Sequence, residues 1–363
     1  METADIGRRR LVHQHIEGER FQKPEDVVRW LGAMQAQEYL QALWAIGLRT
    51  QSATAADVEQ AIAAGRIIRT WPMRGTLHFV APEDAKWMLA LSAPRRLAAN
   101  SLRRRQLEID EDIIVRSHRL FHDALKGGNR LTRSAMMTLL ESEGIDPKGQ
   151  RGYQLLWYTA QTGLICIGPV EGKQETFVLM DEWVPNAREL SREDSLSELA
   201  RRYFASRGPA SVQDLAWWAG ITVADAKAGL ETIRSDLTAE EKDGKQYWMR
   251  KDEPGRRVRA ERGAHLLPGF DEYLLGYKDR GAVLAPDHAP KIVPGGNGMF
   301  FPMIVVDGQV VGTWKRAVKT SSVEITLNPF VPLGHAEEHL LEASERYSRF
   351  IGLRLARQDR ARF

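Results

Sequence analysis

Two glutamines flanking one alanine, Gln35-Ala36-Gln37, narrow the chemistry of this chain more than any other residues in it. On an extended segment both amides project to the same side; on a helix continuing from Met34 to Tyr39 they diverge, and periodicity leaves both readings open. An amide is no general base at neutral pH, but it accepts one hydrogen bond while donating others. It can therefore orient a water molecule and set a carbonyl dipole against a developing positive charge. Such a pair suits a pre-activated leaving group. A purine alkylated on a ring nitrogen is already cationic and leaves deoxyribose unprotonated, so oriented water and stabilisation of a sugar cation suffice. An ordinary glycosidase, with a neutral leaving group, needs two carboxylates instead.

Other reactive-looking residues carry less. His335 and His339 stand one helical turn apart, but a Glu directly after the first His and a third ligand are both missing, so a metal site is not expected. Gly295-Gly296-Asn297-Gly298 lacks the spacing and the lysine of a nucleotide loop and reads as a turn. Asp271 and Glu272 adjoin and read as caps or structural contacts. Cys166 is the single cysteine, which excludes an internal disulfide and a thiolate metal site and points to a reducing compartment.

The elements that must position the glutamines recur three times in one order: helix, turn, helix, hairpin. In the first copy Lys23 to Leu31 reads as a helix with an early Pro24, and Thr54 caps a second that ends at Gly65. Ile67 to Trp71 and Thr76 to Val80, around the Pro72-Met73-Arg74-Gly75 corner, then form a hairpin. In the second copy Thr132 caps a helix through Leu140. Tyr153 to Tyr158 form another, closed by Gly163, and Leu164–Ile167 pair with Thr176–Leu179. The third copy runs from Ser211 to Gly220, then from the cap Thr222 with Asp225 three residues on. It ends in strands around Asp243-Gly244. A short helix pair cannot bury its apolar stripe alone, and a hairpin laid against it completes a small core. This is the pattern of tandem winged helices, a DNA-binding architecture. After about residue 262 a hairpin around Asp307-Gly308, a third strand at Val323–Leu327 and a last helix near Gly334 predict an antiparallel sheet with a covering helix.

Basic residues cluster where a nucleic-acid backbone can be held: Arg95, Arg96, Arg103, Arg104 and Arg105, then Arg130 and Arg133, then Arg256, Arg257 and Arg259. Arg74 at a hairpin tip can enter a groove or remain a solvated turn residue. His78 reads either as a hydrogen-bonded structural histidine or as a DNA contact, and Trp71 as hairpin core. The chain's 51 Lys and Arg nearly cancel its 48 Asp and Glu, leaving +3, so attraction to DNA must come from this clustering. With 43% hydrophobic residues in 363, two or three domains with real cores are expected. The charged N-terminal thirty residues and the lack of any long uncharged apolar run predict a cytoplasmic, nucleoid-associated protein with no membrane contact.

The motif Gln35-Ala36-Gln37 has company: Arg74-Gly75-Thr76-Leu77-His78, Leu267-Pro268-Gly269-Phe270-Asp271-Glu272-Tyr273-Leu274-Leu275-Gly276-Tyr277, and Gly296-Asn297-Gly298 leading to Val311-Gly312-Thr313-Trp314. Together these resemble the tandem winged-helix DNA glycosylases of the AlkZ and YcaQ superfamily, over nearly the whole chain. Gln37, where the YcaQ branch has an aspartate, places the resemblance nearer the AlkZ branch of azinomycin resistance. The resemblance implies three winged helices in a C-shaped arrangement and a motif pair, here Gln35 and Gln37, essential to excision. It also implies removal of N7-alkylated purines, including the unhooking of interstrand crosslinks as antibiotic self-resistance. A lesion tethered to the opposite strand cannot swing into a deep pocket, so a shallow, open cleft is expected around the glutamines.

The expected fold is thus α+β: winged-helix modules at 1–115, 116–195 and 196–262, and a β-rich domain at 263–363. The expected function is a monofunctional DNA glycosylase, catalytic through Gln35 and Gln37, acting as a monomer on double-stranded DNA with alkylated purines and without cofactor or metal. Two rivals remain. A winged-helix transcriptional regulator would dimerise on a palindrome, and a non-catalytic damage binder would hold the lesion without releasing it.

Overall fold

Caps and turns appear where the sequence marks them. Thr132 and Thr222 accept the main-chain N–H three residues on, opening helices Arg133–Ser142 and Val223–Thr232. Ser211 and Asp214 bond each other's N–H groups in a reciprocal box at the start of Val212–Ala219. Asp243-Gly244 and Asp307-Gly308 both take positive φ at each residue, the geometry a two-residue hairpin turn requires. They join Leu237–Lys242 to Lys245–Arg250 and Met303–Val306 to Gln309–Val318.

The computed structural model describes residues 3–172, 174–251 and 263–356. It is a mixed α+β chain that divides into two compact units: Met1–Val58 with Leu196–Trp218 and Thr222–Phe363, and Glu59–Ser195 with Ala219–Ile221. Among the described residues no helix is long and apolar enough to cross a membrane.

The first unit centres on a five-stranded sheet in which Ala264–Leu267, Met303–Val306, Gln309–Val318, Ser322–Pro329 and Arg354–Leu355 lie side by side in chain order. All neighbours are antiparallel except the last pair. Helix Ala336–Phe350 covers it, setting Tyr347 edge-on against both Trp314 and Trp44, each at 5.1 Å. Both indoles donate into the sheet's first strand, Trp44 to the Leu266 carbonyl and Trp314 to that of Leu267. Buried tryptophans need a partner for their N–H, and here those partners fix the register of helix and sheet. Helices Thr3–His13, Pro24–Leu31 and Tyr39–Gly47 belong to the same unit, with Val27, Val28, Leu31, Leu43 and Ile46 in its core.

In the second unit the hairpins of the first two sequence copies do not stay separate. Strand Ile68–Thr70 pairs with His78–Val80 on one edge and, through Arg69 opposite Ile167, with Ile165–Ile167 on the other. Ile165–Ile167 in turn pairs with Thr176–Leu179, which pairs with Leu131–Thr132. Each hairpin was expected to complete its own small core. The shared sheet has a shared core instead: Trp71 and Leu77 from one hairpin pack in one cluster with Phe121, Leu140, Leu155, Ile165 and Phe177. Strands of three or four residues leave open edges, and joining them edge to edge satisfies those N–H and C=O groups.

Candidate active site

Helix Pro24–Leu31 stops at Gly32, whose φ of 73° turns the chain sharply outward, a conformation that glycine adopts without steric cost. The chain then extends as strand Ala33–Gln35 and, after Ala36 and the bend at Gln37, enters helix Tyr39–Gly47. The segment is therefore extended, and the helical reading of 34–39 is set aside. Ala36 is fully buried, Gln35 half-buried and Gln37 exposed. Of the two motif amides, Gln37, in the bend after the strand, is the more open to solvent. Leu40, the second residue of the following helix, is 63% exposed. The exposed end of the motif is Gln37 and the residues that follow it.

A buried ion pair grips one edge of this strand. The Gln35 N–H donates to Glu272 Oε1 at 3.0 Å. The other oxygen, Oε2, accepts from Arg207 Nη2 at 2.7 Å and from Trp218 Nε1 at 2.9 Å. Arg207 also donates to the Leu31 carbonyl at 2.7 Å and the Ala33 carbonyl at 2.9 Å, with its guanidinium 4.1 Å from the centre of a Trp218 ring. Glu272 is 1% exposed and Arg207 fully buried. Farther along, Gln41 Oε1 accepts the Gly269 N–H at 3.2 Å, so the motif's other flank is tied to the same Pro268–Glu272 turn.

Beneath lies a second pair with no exposed side-chain surface: Arg49 donates twice to Asp271, at 2.8 and 2.9 Å, and once to Gln14 Oε1. Gln14 donates to the Tyr277 hydroxyl, which donates to the Arg207 carbonyl at 2.9 Å, linking the two pairs. Arg10 stacks 3.5 Å from the Tyr277 ring centre. Burial pushes the Tyr277 and Tyr273 hydroxyls above the ordinary tyrosine range, so both serve as neutral donors. Phe270, between Gly269 and Asp271, sits at a φ of 60°, which is strained for a bulky residue.

The basic residues singled out in the sequence take varied positions. Arg95, Arg103, Arg105, Arg130 and Arg133 are exposed, while Arg74, Arg96 and Arg104 are half-buried. Arg103 donates to Gln150, Arg104 meets Glu111 at 3.3 Å, Arg133 meets Glu175 at 2.5 Å and Arg95 reaches the Gly220 carbonyl. Desolvation lowers the Arg96 pKa, and the neighbouring Arg95 charge adds to that. His78 is fully buried, with Nδ1 2.8 Å from the Thr76 carbonyl, so a duplex reaches its ring only if the strand moves. Arg256, Arg257 and Arg259 lie outside the described residues. A 910 Å³ cavity in the second unit, between Leu89, Ala93, Leu97, His118 and Gln161, contains neither motif glutamine in its lining.

Sequence reasoning missed Arg207, Trp218, Arg49 and Gln41. An isolated arginine looks like surface charge, and nothing local distinguishes a buried one. The only signal was Asp271-Glu272 itself, two adjoining acids in an otherwise apolar run.

Three comparisons relate the chain to known proteins. A model of the AlkZ-like DNA glycosylase family matches residues 28–350. An interstrand DNA cross-link repair glycosylase of Streptomyces sahachiroi is 27% identical over 344 residues, 88% of each chain. The solved structure of Streptomyces sahachiroi DNA glycosylase AlkZ superposes with a TM-score of 0.82 at 23% identity, over 98% of this chain and 99% of that one, a likeness of fold.

Proposed function

The chain belongs to the AlkZ-like DNA glycosylase family, and from that premise we propose that it hydrolyses the N-glycosidic bond of cationic N7-alkylated purines in duplex DNA. The observation that carries the reading is Gln35 at the end of an extended strand gripped by a buried ion pair, with Gln37 exposed in the bend that follows. The bond from C1′ to N9 breaks with its electrons going to the purine, which neutralises the ring's charge. Water adds to C1′ and gives its proton to solvent. The reaction so written needs no general acid, metal or cofactor; the two amides orient the water and face the sugar cation. The segment 33–41 holds no lysine, so no Schiff base forms there and the product is an intact abasic strand.

An exposed Gln37 beside an exposed Leu40 suits a lesion that cannot leave the duplex entirely, and crosslink unhooking is the narrower proposal. The activity for which the 27% identical Streptomyces sahachiroi relative is named, interstrand cross-link repair, supports it. The helix pairs with their hairpins serve as winged-helix modules, with Arg95, Arg103, Arg105 and Arg130 as exposed phosphate contacts.

The test is a duplex with one N7-methylguanine, incubated with the protein and cleaved with alkali. Native protein releases the base, and Gln35→Ala and Gln37→Ala each slow single-turnover release by about a hundredfold or more. Tight binding of the lesion without release would make the protein a damage binder. Preference for an undamaged palindrome would make it a regulator.

A further inference from the structure

A buried ion pair is a costly way to stabilise a core, because desolvation consumes much of what the charges gain from each other. The Arg207–Glu272 pair is distinguished by where its remaining hydrogen bonds go. Besides Ser206 and Trp218, the pair bonds Leu31, Ala33 and Gln35. Those three positions alternate, and on an extended strand the main-chain groups of residues i and i+2 point to the same edge. The Ala33 carbonyl and the Gln35 N–H therefore leave the strand on one edge, and the ion pair occupies that edge as a neighbouring strand would. Arg207 supplies the donor that a neighbour's N–H would give, and Glu272 the acceptor that a neighbour's C=O would give. The third bond, to Leu31, satisfies a carbonyl at the end of helix Pro24–Leu31, where a cation is also favoured by the helix dipole.

We propose that Glu272 and Arg207 are positioning residues for the glutamine pair: together they clamp the strand before Gln35 and fix the direction in which both amides meet the reacting sugar. The proposal rests on the glycosylase reading. Neither residue touches substrate, since Glu272 is 1% exposed and Arg207 0% exposed, and both carboxylate oxygens are occupied. A side-chain clamp differs from a strand in one respect. It is a single point, so one substitution removes it.

The experiment compares Glu272→Gln, and a double variant carrying Arg207→Met with Glu272→Leu, with native protein. The double variant removes both charges together and leaves no unpaired ion in the core, so it folds even if the single variant does not. Three readouts are taken: affinity for the N7-methylguanine duplex, single-turnover release of the base, and hydrogen–deuterium exchange of the 33–39 segment. The expected result is affinity within about twofold of native, release slowed by about 10- to 100-fold, and faster exchange confined to 33–39. A folded double variant that releases base at the native rate would overturn the proposal. So would affinity and release falling together by the same factor, which marks a merely structural role. If native protein releases no base, the glycosylase reading fails on its own. The exchange arm then decides the clamp, because unchanged protection of 33–39 in the double variant refutes it.

Discussion

Asp271 and Glu272 are neighbours with opposite assignments. Glu272 reaches the motif strand, whereas Asp271 turns inward to a bidentate grip on Arg49 and accepts the Tyr273 N–H at 2.8 Å. With both side chains at 0% exposure, removing one charge strands the other in the core. Asp271→Asn is therefore expected to cost about 3–5 kcal/mol of stability, seen as a lower urea midpoint by circular dichroism. Asp57→Ala gives the scale: it removes the exposed carboxylate that accepts from the Thr54 N–H and hydroxyl in the capping box of helix Ala55–Ala63 and should cost only about 1 kcal/mol. Equal midpoints for the two variants would show that the Arg49 pair contributes no more than a surface contact. The sequence reading placed both acids in structural contacts. It had no means of seeing that one of them ends on Gln35, 237 positions away in the chain.

At the scale of elements, legibility followed locality. The Asp-Gly hairpins, the threonine caps and the C-terminal helix are each specified within a few residues, and each forms close to where the sequence marks it. Helices Thr3–His13, Ala85–Ala99 and Arg192–Arg207 escaped notice because their sequences contradict their surroundings. The first carries Arg8-Arg9-Arg10, which reads as a solvated run although Arg10 is 1% exposed; the second has Pro94 inside it; the third ends in the buried Arg207. Their partners lie far along the chain, and the pattern that would identify them exists only after folding. Helix Thr3–His13 shows how close such an approach becomes. A Cβ on Gly7 would stand 2.3 Å from the Gly308 carbonyl oxygen, in the turn that also accepts the Tyr273 hydroxyl at 2.7 Å. Backbone cannot yield as a side-chain tip does, so Gly7→Ala should destabilise by about 1–3 kcal/mol despite alanine's better helix propensity. An exposed helix glycine would gain stability from the same change, so a raised melting temperature for Gly7→Ala would refute the close packing.

For the whole molecule, a net charge of +3 means that binding to DNA depends on a few cations left free to meet phosphate. The arginine run on helix Ser101–Gln106 sets two contrasting cations side by side in sequence. Arg104 is half-buried, shared with Glu111 at 3.3 Å and stacked 5.3 Å from the Tyr158 ring centre, so part of its charge is already spoken for. Arg105 is exposed, and its guanidinium has no hydrogen-bond partner among the described residues. Each phosphate neutralised releases condensed counterions, so binding weakens linearly with log salt, at about −0.9 per phosphate contact. Arg105→Ala is expected to lower the slope of log K against log salt by about 1 and to weaken binding equally for damaged and undamaged duplexes. Arg104→Ala should change the slope by clearly less, because removing it also frees Glu111. Titrating both variants by fluorescence anisotropy between low and physiological salt decides the matter. Identical slopes for native protein and Arg105→Ala would move the electrostatic footprint off this helix, leaving Arg95 and Arg130 as the exposed cations to test next.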